Sequence, residues 1–401
     1  MMISFFCRFI YFLVLSSALF LTFPAISLFA NTTDYFAELE EGEVLNNKAQ
    51  TMLIAGEYNK VELEYQEYLE QYASGKMTVD DLTVKFLIFS NFTGLEDRFD
   101  LWIEKYPKSY PARLARGMHL VRVAWDRRGK KLAKETTDEQ FTSFEEILKK
   151  AKIDLEQALK LNPRPIEAYH QLIRISKGLS LGKERQLLDA ALELDPKAYF
   201  PRHQYLIAIA PKWGGDLIQM GKFMDECNNS AMSIAYKKRL DAKYYNLVAE
   251  QANLDKDYKT ASDYYLKSYN INKNPHYLEL SGKLAVDGNL IEIAYQRYTD
   301  LIKEHPQYEY GFTQRGLLSE NHFKNYESAF KDYLAAANLG NGWAQNRVGW
   351  YYMTGTCVIT DLIKAKYYLD LAAKQGNNSA KANLKIWEQL NKKSMTDKIT
   401  Q

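Results

Sequence analysis

The chain has 401 residues, 46% hydrophobic and 25% charged, the profile of a folded protein long enough for more than one core. Its 52 basic and 50 acidic side chains leave a net charge of +2, so no whole-molecule field draws nucleic acid, and no such partner is expected. Only 10 Pro and 20 Gly occur beside 29 Tyr, 19 Phe and 6 Trp, which favours long, aromatic-rich helices.

At the start, Arg8 is the only charge before Asp34, and Phe9 to Phe23 is mostly apolar. Pro24 breaks the run, and Ala25-Ile26-Ser27 sets small residues at the spacing of a cleavage site. Residues 1–30 therefore read as a secretory signal, which places the mature protein in a periplasmic or extracellular compartment. Apolar character persists from Phe5 to Phe29, enough to span a bilayer, so a retained membrane tether is the alternative. Cys227 and Cys357 are too far apart in the chain to suggest a disulfide framework or a zinc site. Both are expected to pack as small apolar side chains.

Residues 31–146 predict an irregular helical region. Within it Tyr58, Val61, Tyr65, Tyr68, Leu69 and Tyr72 fall on one helical stripe. Residues 147–306 then carry a repeat. Ala158-Leu159-Lys160-Leu161-Asn162-Pro163 returns as Ala191-Leu192-Glu193-Leu194-Asp195-Pro196 at an offset of 33 (191 minus 158). Small Ala lets two helices approach, Leu fills the groove, and Pro ends one helix and preorganises the next. These residues resemble the second helix of a tetratricopeptide repeat. Tyr258 to Ile271 and Leu290 to Pro306 read as degenerate units.

Residues 307–392 hold a second repeat, followed by a polar tail at 393–401. Ala336-Ala337 matches Ala372-Ala373 at an offset of 36 (372 minus 336), as do Ala329 with Ala365 and Ala344 with Ala380. With Gly349, Tyr352, Gly355, Val358, Asp361, Lys364 and Gly376, this pattern looks like a Sel-one-like repeat. At the same offset Thr313 stands opposite Gly349, and Gly316 opposite Tyr352, so the earlier copy reads as divergent. The stretch Tyr106 to Gly117, with Trp102, Trp125 and Pro211-Lys212-Trp213-Gly214-Gly215-Asp216, is similar to an uncharacterised family of secreted bacterial proteins. That family joins a helical domain of unknown function to tetratricopeptide-like units, and the resemblance covers roughly Leu53 to Asp216.

No phosphate-binding Gly loop, dinucleotide fingerprint, nucleophile elbow or zinc-protease motif occurs, so no catalytic residue, cofactor or metal ligand is assigned. His170-Gln171 and His203-Gln204 recur at the 33-residue offset and should lie side by side on successive repeats; they are candidate partner-binding residues. A metal there would need further ligands. Trp213 is a candidate stacking residue; the structural alternative is a turn in which Gly215 takes positive φ, with Asp216 and Gln219 forming a capping box. Arg127-Arg128-Gly129-Lys130-Lys131 and Lys134 read as a solvated loop before a helix opened by Thr137 to Gln140, or as a contact for lipid phosphates or an acidic partner. Glu40-Glu41, Asp80-Asp81 and Glu145-Glu146 read as solvent-facing charge, since adjacent acids on one helix do not face each other. In the doublets Tyr244-Tyr245, Tyr264-Tyr265, Tyr351-Tyr352 and Tyr367-Tyr368, one ring can face the core and the other the surface.

The expected fold is all-α: a right-handed α-solenoid of helix hairpins behind an irregular helical region. Each hairpin cannot bury its apolar face alone, so neighbours stack and leave a shared groove. The resemblance to Sel-one-like repeats implies an adaptor that binds a protein or peptide. The competing expectation is an envelope-acting enzyme or enzyme accessory with its site in the N-terminal helical region.

Overall fold

The computed structural model describes residues 48–92, 94–129 and 135–399, with side chains through residue 392. The expected signal at 1–30, Glu40-Glu41 and Lys130, Lys131 and Lys134 lie outside the described residues. Among the described residues all regular structure is helical, and none of these helices is long and apolar enough to cross a membrane.

The first helices are α1 (Lys48–Ile54), α2 (Tyr58–Ala73), α3 (Val79–Leu87) and α4 (Glu96–Lys105). The stripe on α2 is realised: Tyr58, Val61 and Tyr65 are buried, and Tyr68, Leu69 and Tyr72 pack against the same core. Tyr65 lies 4.9 Å from both Phe86 and Phe89, ring centre to ring centre, in a cluster that continues through Phe92, Phe99 and Trp102. Glu62 is buried but satisfied: Trp102 Nε1 donates to it at 2.8 Å and Ser109 Oγ at 2.7 Å.

Helix hairpins follow. They are α5 (Tyr110–Arg128) with α6 (Asp138–Leu161), α7 (Ile166–Gly178) with α8 (Glu184–Leu194), and α9 (Phe200–Ala208) with α10 (Leu217–Asn228). Next come α11 (Ile234–Leu254) with α12 (Tyr258–Asn272) and α13 (Pro275–Asp287) with α14 (Ile291–Glu304). Last are α15 (Glu309–Asn321) with α16 (Tyr326–Asn338), α17 (Gly342–Thr354) with α18 (Leu362–Lys374), and the final helix α19 (Asn378–Ile399). From α11 onward each helix packs chiefly on its sequence neighbours, the arrangement of a solenoid.

Small residues set the approach within hairpins. A Cβ on Gly117, Gly282, Gly316 or Gly349 would come within 2.7, 2.6, 2.6 or 2.7 Å of Leu155, Tyr298, Tyr333 or Leu369 on the second helix. On those second helices Ala158, Ala294, Ala329, Ala336, Ala365 and Ala372 are fully buried. Gly316 thus corresponds to Gly349, not Tyr352. The first helices repeat every 33 residues (349 minus 316) and the second helices every 36, because the turn at 355–361 is three residues longer than the turn at 322–325.

Several local expectations need correction. Positive φ belongs to Gly214 (83°), while Gly215 is required for space, since its Cβ would meet the Ile209 carbonyl oxygen at 1.8 Å. Asp216 does cap α10, accepting from Gln219 N at 2.7 Å. Arg127 and Arg128 form the last turn of α5, where cations suit the helix dipole, and Gly129 ends it at φ 76°. Cys227 is buried, but Cys357 is exposed at a turn. Asp80 is buried as well, for a reason given below.

Candidate partner-binding face

Helices α7, α9 and α11 are the first helices of successive hairpins, so the 33-residue repeat carries His170 and His203 onto corresponding turns. The structure brings His170, Gln171, His203 and Gln204 together. The His170 ring lies 5.6 Å from Phe200, its side chain bonds with Gln204, and Gln171 Nε2 is 3.5 Å from His170 Nδ1. His203 lies 5.5 Å from Tyr199, and Tyr199 stacks on Tyr236 of α11 at 5.0 Å and 19°. The Arg239 guanidinium sits over Tyr236 at 5.5 Å.

His170, Gln171 and Gln204 are buried, and His203 is half-buried. Burial, helped by Arg174, pushes His170 down to about 3. Burial, then Lys243 and His170, also lowers His203 well below the ordinary imidazole range. Both rings are therefore neutral at pH 7 and act as packing and hydrogen-bonding groups. Arg174 and Lys243 also oppose a cation between them. Among the described residues no cluster of three His, Cys, Asp or Glu side chains is placed to hold a metal.

Two carboxyl groups behind this layer escaped the sequence reading. Asp80 of α3 accepts from Tyr199 N at 3.0 Å, capping the start of α9 from across the fold. Glu167 of α7 is fully buried and accepts from Tyr110 Oη at 2.6 Å. Burial pushes each up to about 7, against the pull of those donors. In sequence both resemble ordinary first-turn acids; the only signal was the apolar residue beside each, Val79 and Ile166. Arg202 closes the same region, donating to Ala198 O at 2.6 Å and Pro196 O at 2.8 Å.

Trp213 stands apart from the His pair, on the 3-10 turn Pro211–Trp213. Its ring meets Trp125 edge-on at 5.4 Å and 83°. Arg128 lies 5.7 Å from the centres of both Trp rings and 5.9 Å from Phe141, while Arg174 covers Trp125 at 5.4 Å. Arg174 follows His170 by one helical turn, so α7 joins the two groups along one face. In the Tyr doublets, Tyr265 and Tyr351 are buried beside half-buried Tyr264 and Tyr352. Tyr367 is exposed beside half-buried Tyr368, and Tyr244 and Tyr245 are both half-buried.

Residues 50–183 match a family model described as a domain of unknown function, DUF4034. No curated protein matches the chain. Among solved structures, it is similar to YrrB, described as a TPR protein with an unusual peptide-binding site, at 17% identity and a TM-score of 0.33, covering 49% of this chain and 97% of that one. A Sel1 repeat protein from Oxalobacter formigenes is similar at 19% identity and a TM-score of 0.31, over 54% of this chain and 86% of that one. Yeast Tom70 is similar at 14% identity and a TM-score of 0.31, over 90% and 91%. The chain is thus similar to tetratricopeptide and Sel1-repeat proteins, while its architecture rests on the helix packing described above.

Proposed function

We propose that the protein is a non-catalytic scaffold or adaptor of an extracytoplasmic compartment, exported by its first thirty residues, and that it holds a protein or peptide partner along the face built by α7, α9 and α11. The observation that carries this is the set of half-buried Trp213, Trp125, Arg174 and Tyr236, backed from beneath by the buried His170 and Tyr199. Aromatic and guanidinium groups dominate binding energy at protein interfaces, because they bring large area at low entropic cost. Site-specific photo-crosslinking tests it. A benzoylphenylalanine replacing Tyr236 should yield a discrete polypeptide adduct in cells, and the same probe replacing exposed Ile153 on α6 should not. Equal labelling from both positions, or none from Tyr236, removes the reading.

The enzyme reading draws on one observation, the pair of buried carboxyl groups held near pH 7, a common mark of acid–base catalysis. The placement argues against it. Asp80 is engaged in capping α9, and Glu167 in accepting from Tyr110. Asp80 thus has a structural role, and Glu167 has one through Oε2, while Glu167 Oε1 is buried without a hydrogen-bond partner.

A further inference from the structure

Helix α18 is apolar on two sides. Ala365, Leu369 and Ala372 face the core and are fully buried, so the packing of its hairpin does not draw on the opposite side. On that opposite side Ile363 and Tyr367, one helical turn apart, are 84% and 59% exposed. Ile359, in the turn that leads into the helix, is 91% exposed. Among the described residues Ile359 and Ile363 are the most exposed large apolar side chains. The Tyr367 ring is braced edge-on by Tyr368, at 5.1 Å and 80°, and so holds its place in the row. A contiguous exposed apolar row of this kind marks a contact surface.

The charges beside the row say what covers it. Lys364 pairs with Asp361 at 3.4 Å, and Lys366 with Asp370 at 2.6 Å. Two cations and two anions balance, so the flanks select neither an anionic bilayer nor a strongly charged polypeptide. They do fit a second copy. Lys366 and Asp370 are one turn apart on the same flank. In two antiparallel helices related by a two-fold axis, that flank meets itself in reverse order, and every contact occurs twice. Lys366 of one copy then faces Asp370 of the other, and the reverse. An exposed pair within one helix is worth little, so exchanging it between copies costs little.

We infer that α18 is a self-docking face, on which two copies of the chain pack antiparallel across Ile359, Ile363 and Tyr367 with reciprocal Lys366–Asp370 ion pairs. Three apolar side chains from each copy are fewer than a standard interface supplies, so the dimer is weak and concentration-dependent. The inference is independent of the partner-binding face on α7, α9 and α11, which a dimer would present twice.

Sedimentation equilibrium of the protein recovered from an exporting bacterial host, from about 1 to about 200 µM, tests it. The parent should pass from monomer to dimer over that range. Ile363→Asp, at an exposed position that leaves the fold intact, should weaken dimerisation at least about tenfold, whereas association through any other segment would be blind to it. Lys366→Asp and Asp370→Lys should each weaken it about tenfold, because each sets like charges opposite one another. An equimolar mixture of those two variants should recover the parental affinity, since one copy then offers two carboxylates and the other two ammonium groups. A parent that stays monomeric, an Ile363→Asp variant that dimerises like the parent, or a mixture no tighter than its components overturns the inference. A monomeric parent that binds phosphatidylglycerol vesicles and loses them on Ile363→Asp assigns the row to a lipid surface and equally overturns it.

Discussion

Asp80 and Glu167 carry the sharpest consequence at the scale of single residues. Both are nearly or fully buried, and burial holds each near 7 against an ordinary value close to 4. A carboxyl group whose folded value lies above its unfolded value is protonated in the folded protein when the unfolded chain has already ionised. Its contribution to stability is therefore intact below about pH 4 and is lost as pH rises through about 7. At 1.36 kcal/mol per unit, the loss for Asp80 is at most about 4 kcal/mol. The melting temperature should fall between pH 5 and pH 8, and the double variant Asp80→Asn with Glu167→Gln should flatten that slope. Superimposable pH profiles for variant and parent would show that neither group titrates as described. Beyond the apolar residue beside each, Val79 and Ile166, the local sequence does not reveal this. Asp80 follows Thr78 in an ordinary capping pattern, and the α9 start it serves lies 119 residues further on. Gly215 shows the opposite limit: the sequence marks a turn that needs glycine there, yet the residue is required for clearance and its neighbour for dihedral freedom.

At the scale of elements, most of the architecture was readable because it depends on spacing. The aromatic stripe of α2 and the buried alanines of the last hairpins followed from helical periodicity and a repeat offset. The register of the first helices did not, because an offset measured on second helices absorbs any change in the turn between them. What holds the repeat together was also partly hidden. Asn341 and Asn377 occupy equivalent positions and cap α17 and α19, accepting from Ala344 N at 2.8 Å and Ala380 N at 3.0 Å. Asn377 does more, since its Nδ2 donates to Gly342 O at 3.3 Å and so ties the last helix to the start of the one two before it. Asn377→Ala should cost α19 about 1–2 kcal/mol of local stability by hydrogen exchange. Asn377→Asp keeps the cap acceptor and loses only the donor, so it should recover most of that protection. An alanine variant with parental exchange in α19 would leave the cap without an energetic role.

On the scale of the whole described unit, the core is unequal along the chain. One apolar cluster runs from Ala49 to Ile175 and joins α1 through α7, with contacts between helices far apart in sequence. Beyond α11 the buried residues fall into smaller separate clusters, each confined to neighbouring helices. Where every element is held by many others, opening one exposes them all and unfolding is cooperative. In a linear stack, stability is a sum of hairpin and nearest-neighbour terms, and opening proceeds from the end. Glu62→Ala, which leaves Trp102 and Ser109 without their acceptor, should therefore lower amide protection across α1 to α7 together. Ending the chain after Lys374 should have a short reach. It uncovers the faces of α17 and α18 that pack on α19, so protection should drop in that hairpin and stay unchanged before α13. A truncated protein that loses protection evenly from α1 onward would mean that the stack is one cooperative body. The face on α7, α9 and α11 would then share its stability with the far end, and a partner bound there would stiffen the last hairpins as well.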